Sequence, residues 1–430
     1  MRFECSLEEY KKYKLGELVE NVVAGATPKT SVDDYWNGGD IPWLSSGEVH
    51  KKFIYFTDKF ITSEGYNNSS TKIVPTNSVL IALAGQGKTR GTVAINKIEL
   101  CTNQSIASII PNEMLNYKYL FYYLESKYEY LRALSSSDGG RGGLNLKLIR
   151  SIPIQVPSIK EQENISNFIN EIDKKILLLE QKHKLYDDFK KYLMQQIFTQ
   201  KLRFADCTGE WNLFKLGDIV ELMRNGCSEN QVSFETEFPV TRIETISKGI
   251  LNFDKVGYVE KIDSSYLLQY GDILLSNINS LKYIGNCVFF DEDKPLYHGM
   301  NLMLMRFKDD FNKKYLFYYM KFYQQWFQKM ACQAVNQASI NQSSLKKFPF
   351  YIPPTIDEQN KIVNVIDDTE HKINSIEDQI IKMEEFKKGL LQQMFVVRIN
   401  WRCNFKLAKS PSFNKHLLIL KNKIIFIIIK

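Results

Sequence analysis

The stretch of this 430-residue chain that most resembles a chemical site is Ala82-Leu83-Ala84-Gly85-Gln86-Gly87-Lys88-Thr89, a permissive form of the phosphate-binding loop with Ala where the first Gly usually stands. Such a loop works by leading from a strand into a helix whose N-terminal amides hold the phosphates. Here Thr89 runs into Arg90-Gly91-Thr92-Val93-Ala94-Ile95, glycine followed by β-branched residues, which spells a turn into another strand. No later apolar run ends in a magnesium-binding Asp, so nucleotide hydrolysis is disfavoured. A second loop, Asn277 to Ile284, stands in the same place 194 positions on (Val79 to Ile273, Gly91 to Gly285), and Lys88 coincides with Lys282. A basic, Gly- or Asn-rich hairpin tip that occurs twice suits a phosphate or base contact better than a catalytic cradle.

Other catalytic signatures are missing. The chain has no Asn/Asp-Pro-Pro-Tyr/Phe quartet for holding a flipped base and no glycine-rich loop for a methyl donor. Ile352-Pro353-Pro354-Thr355 comes nearest and lacks both the amide or carboxylate and the stacking aromatic. The five histidines have no partners at useful spacing, and Asp291-Glu292-Asp293-Lys294 reads as a solvated acidic turn. Seven scattered cysteines without a CxxC pair indicate free thiols of a reducing cytoplasm and no zinc site. The composition, 44% apolar and 24% charged, is that of a soluble globular chain, and the net charge of +7 leans mildly toward an acidic partner. The first residues, with Glu4, Glu8 and Glu9, hold no apolar signal region. Leu417 to Ile429 is oily but broken by Lys421 and Lys423, so it fails as a membrane span.

The elements that would position the hairpins are themselves duplicated. Glu161-Gln162, Phe189-Lys190-Lys191, Gln195-Gln196 and Phe198 return as Glu358-Gln359, Phe386-Lys387-Lys388, Gln392-Gln393 and Phe395, all 197 positions later (358 − 161). Steps of four and three from Ile165 give Ile169, Ile172, Ile176, Leu179, His183, Tyr186, Lys190, Leu193 and Ile197. The second copy gives Ile362, Ile366, Thr369, Ile373, Ile376, Ile380, Met383, Lys387, Leu390 and Met394. An apolar seam with a period of 3.5 residues predicts two long helices that pair as a coiled coil, each roughly 60 Å long. Neither can bury its seam alone, so the economical partner of each is the other.

The repeat continues into two globules, roughly 13 to 156 and 214 to 353. Tyr13-Lys14-Leu15-Gly16-Glu17 matches Phe214-Lys215-Leu216-Gly217-Asp218, and Arg2-Phe3 matches Arg203-Phe204, both at an offset of 201 (203 − 2). Tyr119 to Tyr123 returns as Tyr315 to Tyr319. Each globule has short β-type runs, such as Ser78 to Ala84 and Gly271 to Ser276, then an aromatic helical stretch, Asn116 to Leu134 and Lys313 to Met330. A mixed α+β fold follows, with the chain running globule, rod, globule, rod. Two copies of one scaffold with unlike loops would present two different reading surfaces.

This arrangement closely resembles the specificity subunit of type I restriction-modification systems. The resemblance covers residues 13 to 397 and rests on the Lys-Leu-Gly-Glu/Asp openings, the Pro-x-x-x-Glu-Gln rod starts (Pro157 to Gln162, Pro354 to Gln359) and the Phe-Lys-Lys to Gln-Gln-x-Phe rod ends. It also rests on Ile41-Pro42-Trp43-Leu44-Ser45-Ser46-Gly47-Glu48-Val49, with Phe238 to Ile246 as its second copy. It implies an α+β fold of two tandem mixed α/β target recognition domains separated by two long helices forming an antiparallel coiled coil. The corresponding division is 1–157, spacer 158–201, 202–353, spacer 354–397 and a tail from 398 to 430. In the tail Trp401 and Phe405-Lys406-Leu407 loosely echo Trp211 and Phe214-Lys215-Leu216, whereas Ser410 to Lys430 matches nothing earlier.

The resemblance further implies a cytoplasmic, non-catalytic subunit that reads a bipartite target in double-stranded DNA, with the coiled coil fixing the gap. Half-sites one turn of B-DNA apart lie roughly 34 to 36 Å from centre to centre, within reach of the rods. Two methylation subunits and the restriction and translocase subunits would be its partners, with no membrane. No cofactor is expected in this chain, since S-adenosylmethionine, ATP and Mg would belong to those partners. For base and phosphate contacts the expected residues are Ser45, Ser46, Glu48, His50, Gln86, Lys88 and Arg90 in the first globule. In the second they are Arg242, Glu244, Lys248, Asn277, Asn279 and Lys282. Arg can grip guanine and Asn or Gln adenine through two hydrogen bonds, while Lys more often anchors phosphate. A coiled-coil adaptor without sequence-selective DNA binding, or a nucleotide-binding protein using the Lys88 loop, would be the alternatives.

Overall fold

The computed structural model describes residues 10–85, 88–136, 143–247, 249–333 and 338–395. Two helices of 40 residues, Ile159–Phe198 and Ile356–Phe395, lie where the 3.5-residue period predicts them, with identical length and the same 197-residue offset (356 − 159). The chain forms two compact units, Met1–Leu179 with Gln379–Lys430, and Glu180–Asp378. The unit boundary falls inside both long helices instead of at their ends, because each globule's core continues onto one half of each helix.

In the first unit the strands Val19–Ala24, Ile106–Pro111, Val79–Ala82 and Val93–Asn96 lie side by side in that order, all antiparallel, and Phe53–Ile54 adds a parallel edge. The second unit repeats the order with Val220–Asn225, Met303–Phe307, Ile273–Leu275 and Cys287–Phe289. Even the bulge recurs, between Val19 and Asn21 and between Val220 and Leu222. A short ribbon ties the start of each globule to its end, pairing Lys14 with Pro153 and Lys215 with Pro349.

The repeated motifs now have physical reasons. Leu15 and Leu216 are buried, and their amides donate to Ile152 O and Phe348 O at 2.8 Å. A Cβ on Gly16 would lie 3.1 Å from Arg150 Cβ, and one on Gly217 3.2 Å from Lys346 Cβ, so a side chain at either position would push the neighbouring residue back by a few tenths of an ångström. The Gln of each rod start caps its neighbour: Gln162 Oε1 accepts from Asn116 N, and Gln359 Oε1 from Asn312 N, both at 2.9 Å. Asn116 and Asn312 are themselves the N-caps of the aromatic helices Tyr117–Ser126 and Lys313–Phe322. The Phe of each rod end is an aromatic plug. Phe395 packs edge-on against Tyr119 and Tyr123 in the first unit, as Phe198 does against Tyr315 and Tyr319 in the second.

The seams are buried where expected, from Ile165 to Leu179 and Leu390 to Met394 in the first unit. In the second, Leu193, Ile197, Ile362 and Ile366 join the globule's core. The seam's two lysines are each matched by carboxylates. Lys387, only 7% exposed, has its Nζ 2.7 Å from Glu125 Oε2 and 2.8 Å from Asp173 Oδ1, and Tyr122 donates to Asp173 at 2.9 Å. Burial alone would raise the Glu125 carboxyl, but Lys387 and Lys52 beside it hold it below its ordinary value. In the second unit Lys190 pairs with Glu370, and the Tyr318 hydroxyl lies within hydrogen-bond distance of both Asp367 and Glu370. Burial lowers the Lys190 ammonium there. Removing one member of such a network strands the others. Lys387→Ala is therefore expected to destabilise the first unit by about 3–5 kcal/mol, and adding Glu125→Gln should recover part of that loss in urea unfolding.

Candidate nucleic-acid interface

In the first unit the strand Ile41–Leu44 runs into a 3-10 turn, Ser46–Lys51. Glu48, chosen from the sequence as a base contact, is 5% exposed and fully engaged in this turn. Its carboxylate accepts from Ser45 N at 3.2 Å, Ser45 Oγ at 3.1 Å, Asp58 N at 3.1 Å and Lys51 Nζ at 3.0 Å. It thereby fixes both the turn and the following loop. Ser45 and Ser46 are half-buried, while His50 is exposed with Nδ1 2.5 Å from Gly47 O. Beside them Tyr55 and Phe56 are 65% and 63% exposed, with Lys51 Nζ 4.9 Å above the Phe56 ring. Exposed rings next to a cation suit stacking on bases or sugars. Sequence reasoning missed them, although Tyr-Phe three residues after the basic pair Lys51-Lys52 was the available signal.

The second unit builds the same turn, Ile243–Ile246, with different chemistry. Thr245 takes the place of Glu48 (245 − 48 = 197): buried, it accepts from Arg242 N at 2.8 Å and donates to Lys255 O at 2.9 Å. Arg242 and Glu244 both reach solvent, with Nε and Oε2 3.7 Å apart. An exposed pair at that distance contributes little and can re-pair. Together with Cys227, Glu229, Gln231 and Asn301 they line a cavity of about 240 Å³. A Cβ on Gly257 would come within 2.5 Å of Gln231 Oε1 and 3.1 Å of Arg242 Cδ, so this glycine lets both side chains lie against the backbone. Behind the cavity, His298 is buried with Nε2 3.1 Å from Leu302 O, and burial pushes its pKa down to about 4.

The loop that resembles a phosphate cradle is a hairpin tip. After Thr89 the chain turns at Gly91 (φ 82°) into Val93–Asn96, which pairs antiparallel with Val79–Ala82. Gly91 N donates to Ala82 O at 2.9 Å, and the second copy repeats this with Gly285 (φ 81°) and Ser276 O at 3.0 Å. Lys88 is exposed, its carbonyl accepting from Tyr128 OH at 2.8 Å, and Arg90 is half-buried. Lys282 is also exposed, with Nζ 4.6 Å from the Tyr283 ring. Asn277 points inward: it is buried, and its Nδ2 donates to Ile340 O at 3.3 Å. Asn279 is half-buried, donating to Ser276 Oγ at 3.1 Å and accepting from Ser280 N at 2.7 Å. The hairpin and the 243–246 turn are joined by Asn286 Nδ2 donating to Ser247 O at 2.9 Å. In the first unit the join is at the hairpin's base, from Ile95 N to Lys52 O at 2.8 Å. Gln86 and Lys248 lie outside the described residues.

The family model described as type I restriction modification DNA specificity domain matches this chain twice, over residues 7–185 and 208–385. The chain belongs to that family. Over 216 residues it is 37% identical to the putative type I restriction enzyme MjaX specificity subunit of Methanocaldococcus jannaschii, covering 48% of this chain and 50% of that one. It is 28% identical over 277 residues to the MjaIX specificity subunit of the same organism, covering 56% and 62%. The matched part thus spans about half the length of the first relative and under two thirds of the second. In fold it is similar to the type I restriction-modification S subunit of M. genitalium, with a TM-score of 0.55 at 14% identity over 92% of this chain and 99% of that one. Two tandem specificity domains of mixed helix and strand account for the duplicated sheet order. Among the described residues no helix is long and apolar enough to cross a membrane.

Two consequences follow for the specificity domains. Glu48→Ala removes the acceptor of four hydrogen bonds, so it should destabilise the first unit by about 2 kcal/mol, measured by denaturant unfolding, whereas Ser46→Ala and His50→Ala should leave stability within error. In the second unit the unfolded imidazole of His298 takes up a proton near its ordinary pKa of 6.5, while the folded one refuses it until about pH 4. Protons therefore favour the unfolded chain, and stability falls as pH drops through that window, by up to roughly 3 kcal/mol. In His298→Gln this part of the acid-induced loss should disappear, which paired unfolding curves across the window will read.

Proposed function

We propose that this chain is the DNA-reading subunit of a type I restriction-modification complex, each unit recognising one half of an interrupted duplex target. The observation that carries the reading is the pairing of one strand order with two unlike turns, a Glu-held turn presenting Ser46 and His50 and a Thr-held turn presenting Arg242 and Glu244. In the first unit the contacts come from Ser45, Ser46, His50, Lys88 and Arg90, with Tyr55 and Phe56 added. In the second they come from Arg242, Glu244, Asn279 and Lys282. Glu48 and Asn277 act from within, shaping the loops. Two methylation subunits and the restriction and translocase subunits supply catalysis. S-adenosylmethionine, ATP and Mg are used by those partners, in the cytoplasm, where the free thiols of Cys101, Cys227 and Cys287 are compatible with reducing conditions.

The two long helices pair antiparallel in this reading, and their length sets the unread gap of the target. In support, the ion pairs Asp173–Lys387 and Lys190–Glu370 have residue numbers with the same sum (560), as a single antiparallel register requires. Binding of the full chain, with its methylation partner, to duplexes differing in gap length is the test. The chain should select one gap, and inserting one heptad in both helices should change the preferred gap while leaving the half-site sequences alone. Indifference to bipartite duplexes would overturn the reading.

At the level of residues, Arg242→Ala should relax one base position of one half-site at a cost of about 1–3 kcal/mol. Lys282→Ala should weaken binding to all sequences alike and lower the salt slope by about one. Competition binding across a salt series separates the two outcomes.

A further inference from the structure

Lys52 closes the turn of the first unit in an unusual way. It stands at the end of Ser46–Lys51 with φ 61° and ψ −49°, a backbone region that a residue with a Cβ rarely adopts. Its counterpart in the second unit is Gly249 (249 − 52 = 197), at φ 71° and with open space where a Cβ would stand. Glycine takes this conformation freely, so a lysine there points to a task for its side chain. The neighbouring Lys51 turns to Glu48 and Asp58 within the loop. Lys52 reaches elsewhere, its Nζ lying 3.2 Å from Glu125 Oε1 on the aromatic helix Tyr117–Ser126. Its carbonyl meanwhile accepts from Ile95 N at the base of the hairpin.

The charges show why a cation is needed there. Glu125 and Asp173 are two carboxylates sharing Lys387, at 2.7 and 2.8 Å, and Lys52 is the second cation that balances them. An isolated pair as exposed as this one would contribute little, but it completes a part-buried network of four charges. The second unit balances its network without the turn. There the position of Glu125 is held by Lys321 (321 − 125 = 196), with Nζ 3.6 Å from Glu370, while Lys314 pairs with Asp367 at 3.0 Å. Its turn is tied instead to its own hairpin, through Asn286 and Ser247. Given the DNA-reading role proposed above, on which this assignment rests, we propose that Lys52 is a positioning residue for the first half-site. It fixes the turn that presents Ser46 and His50 against the charges that set the register of the long helices. The turn of Arg242 and Glu244 is placed independently of its seam.

Selection from a duplex library randomised in both halves of the target, by the full chain with its methylation partner, tests this. The half relaxed by Arg242→Ala belongs to the second unit. Lys52→Gly, which suits the backbone conformation, should lower the preference for the best sequence over single mismatches in the other half by about fivefold or more, and leave the second unit's half unchanged. Lys52→Arg should restore the preference. Glu125→Gln should loosen the same half, with the double variant no worse than the more affected single one. Unchanged preference, or an equal loss in both halves, would refute the assignment. Should Lys52→Gly fail to fold, or the wild-type chain select no bipartite sequence, which would refute the DNA-reading role alone, amide exchange without DNA decides. Lys52→Met should speed exchange at Glu48, Asp58 and Ile95 and leave Thr245 and Asn252 unchanged, while unaltered rates in the first unit sink the proposal.

Discussion

The constraint on which the rest depends is that a 40-residue helix with one apolar seam cannot stand in water by itself. Each long helix solves this by giving half of its seam to one globular core and half to the other, so the cores are completed by residues far away in sequence. Ile165 to Ile176 lie in the same core as Leu390 and Met394, and Leu193 and Ile197 in the same core as Ile362 and Ile366. Neither specificity domain is therefore a self-sufficient segment of chain. The family's repeat of domain plus helix describes how the sequence was duplicated, while the units that hold together cut across that repeat.

Within each unit the seam lysines give this packing its register. A seam made only of Ile and Leu could slip by a heptad at little cost, because every hole along it is similar. Lys387 among Glu125 and Asp173, and Lys190 against Glu370, allow only one alignment, since a slip would leave a buried ammonium and two carboxylates unpaired. The tyrosine hydroxyls of Tyr122 and Tyr318 take up the remaining acceptor capacity and bring the aromatic helix into the same network. Polar residues that interrupt an apolar pattern are here the residues that decide how the pattern packs.

Much of this was legible in the sequence because it is periodic. The seam, the rod ends and the offset fixed both long helices to within a few residues, and the mismatch of Thr89 with a helix start already identified a hairpin. The aromatic stretches were placed well, but each proved to be two helices, Tyr117–Ser126 then Tyr128–Ser136, and Lys313–Phe322 then Gln324–Met330. The candidate site was less legible. Glu48 and Asn277 have the chemistry of base readers, yet one holds a capping turn and the other a strand edge, and only burial distinguishes those roles. Tyr55 and Phe56 have the chemistry of core residues and stand in solvent. Local spacing does not encode which face of an irregular loop turns outward.

The comparison of the two turns shows how such a scaffold can change what it reads without changing its fold. In one copy the turn is held by a carboxylate with four donors, in the other by a hydroxyl with two partners, and in both the holding group is buried. The side chains on the outer side of each turn, Ser46 and His50 in one and Arg242 and Glu244 in the other, make few contacts that the fold requires. Substitution there is expected to alter what the surface attracts at almost no cost in stability, since exposed positions away from caps and cores tolerate change. A duplicated domain with this separation of labour can keep the residues that complete the shared cores fixed while its two reading surfaces diverge independently.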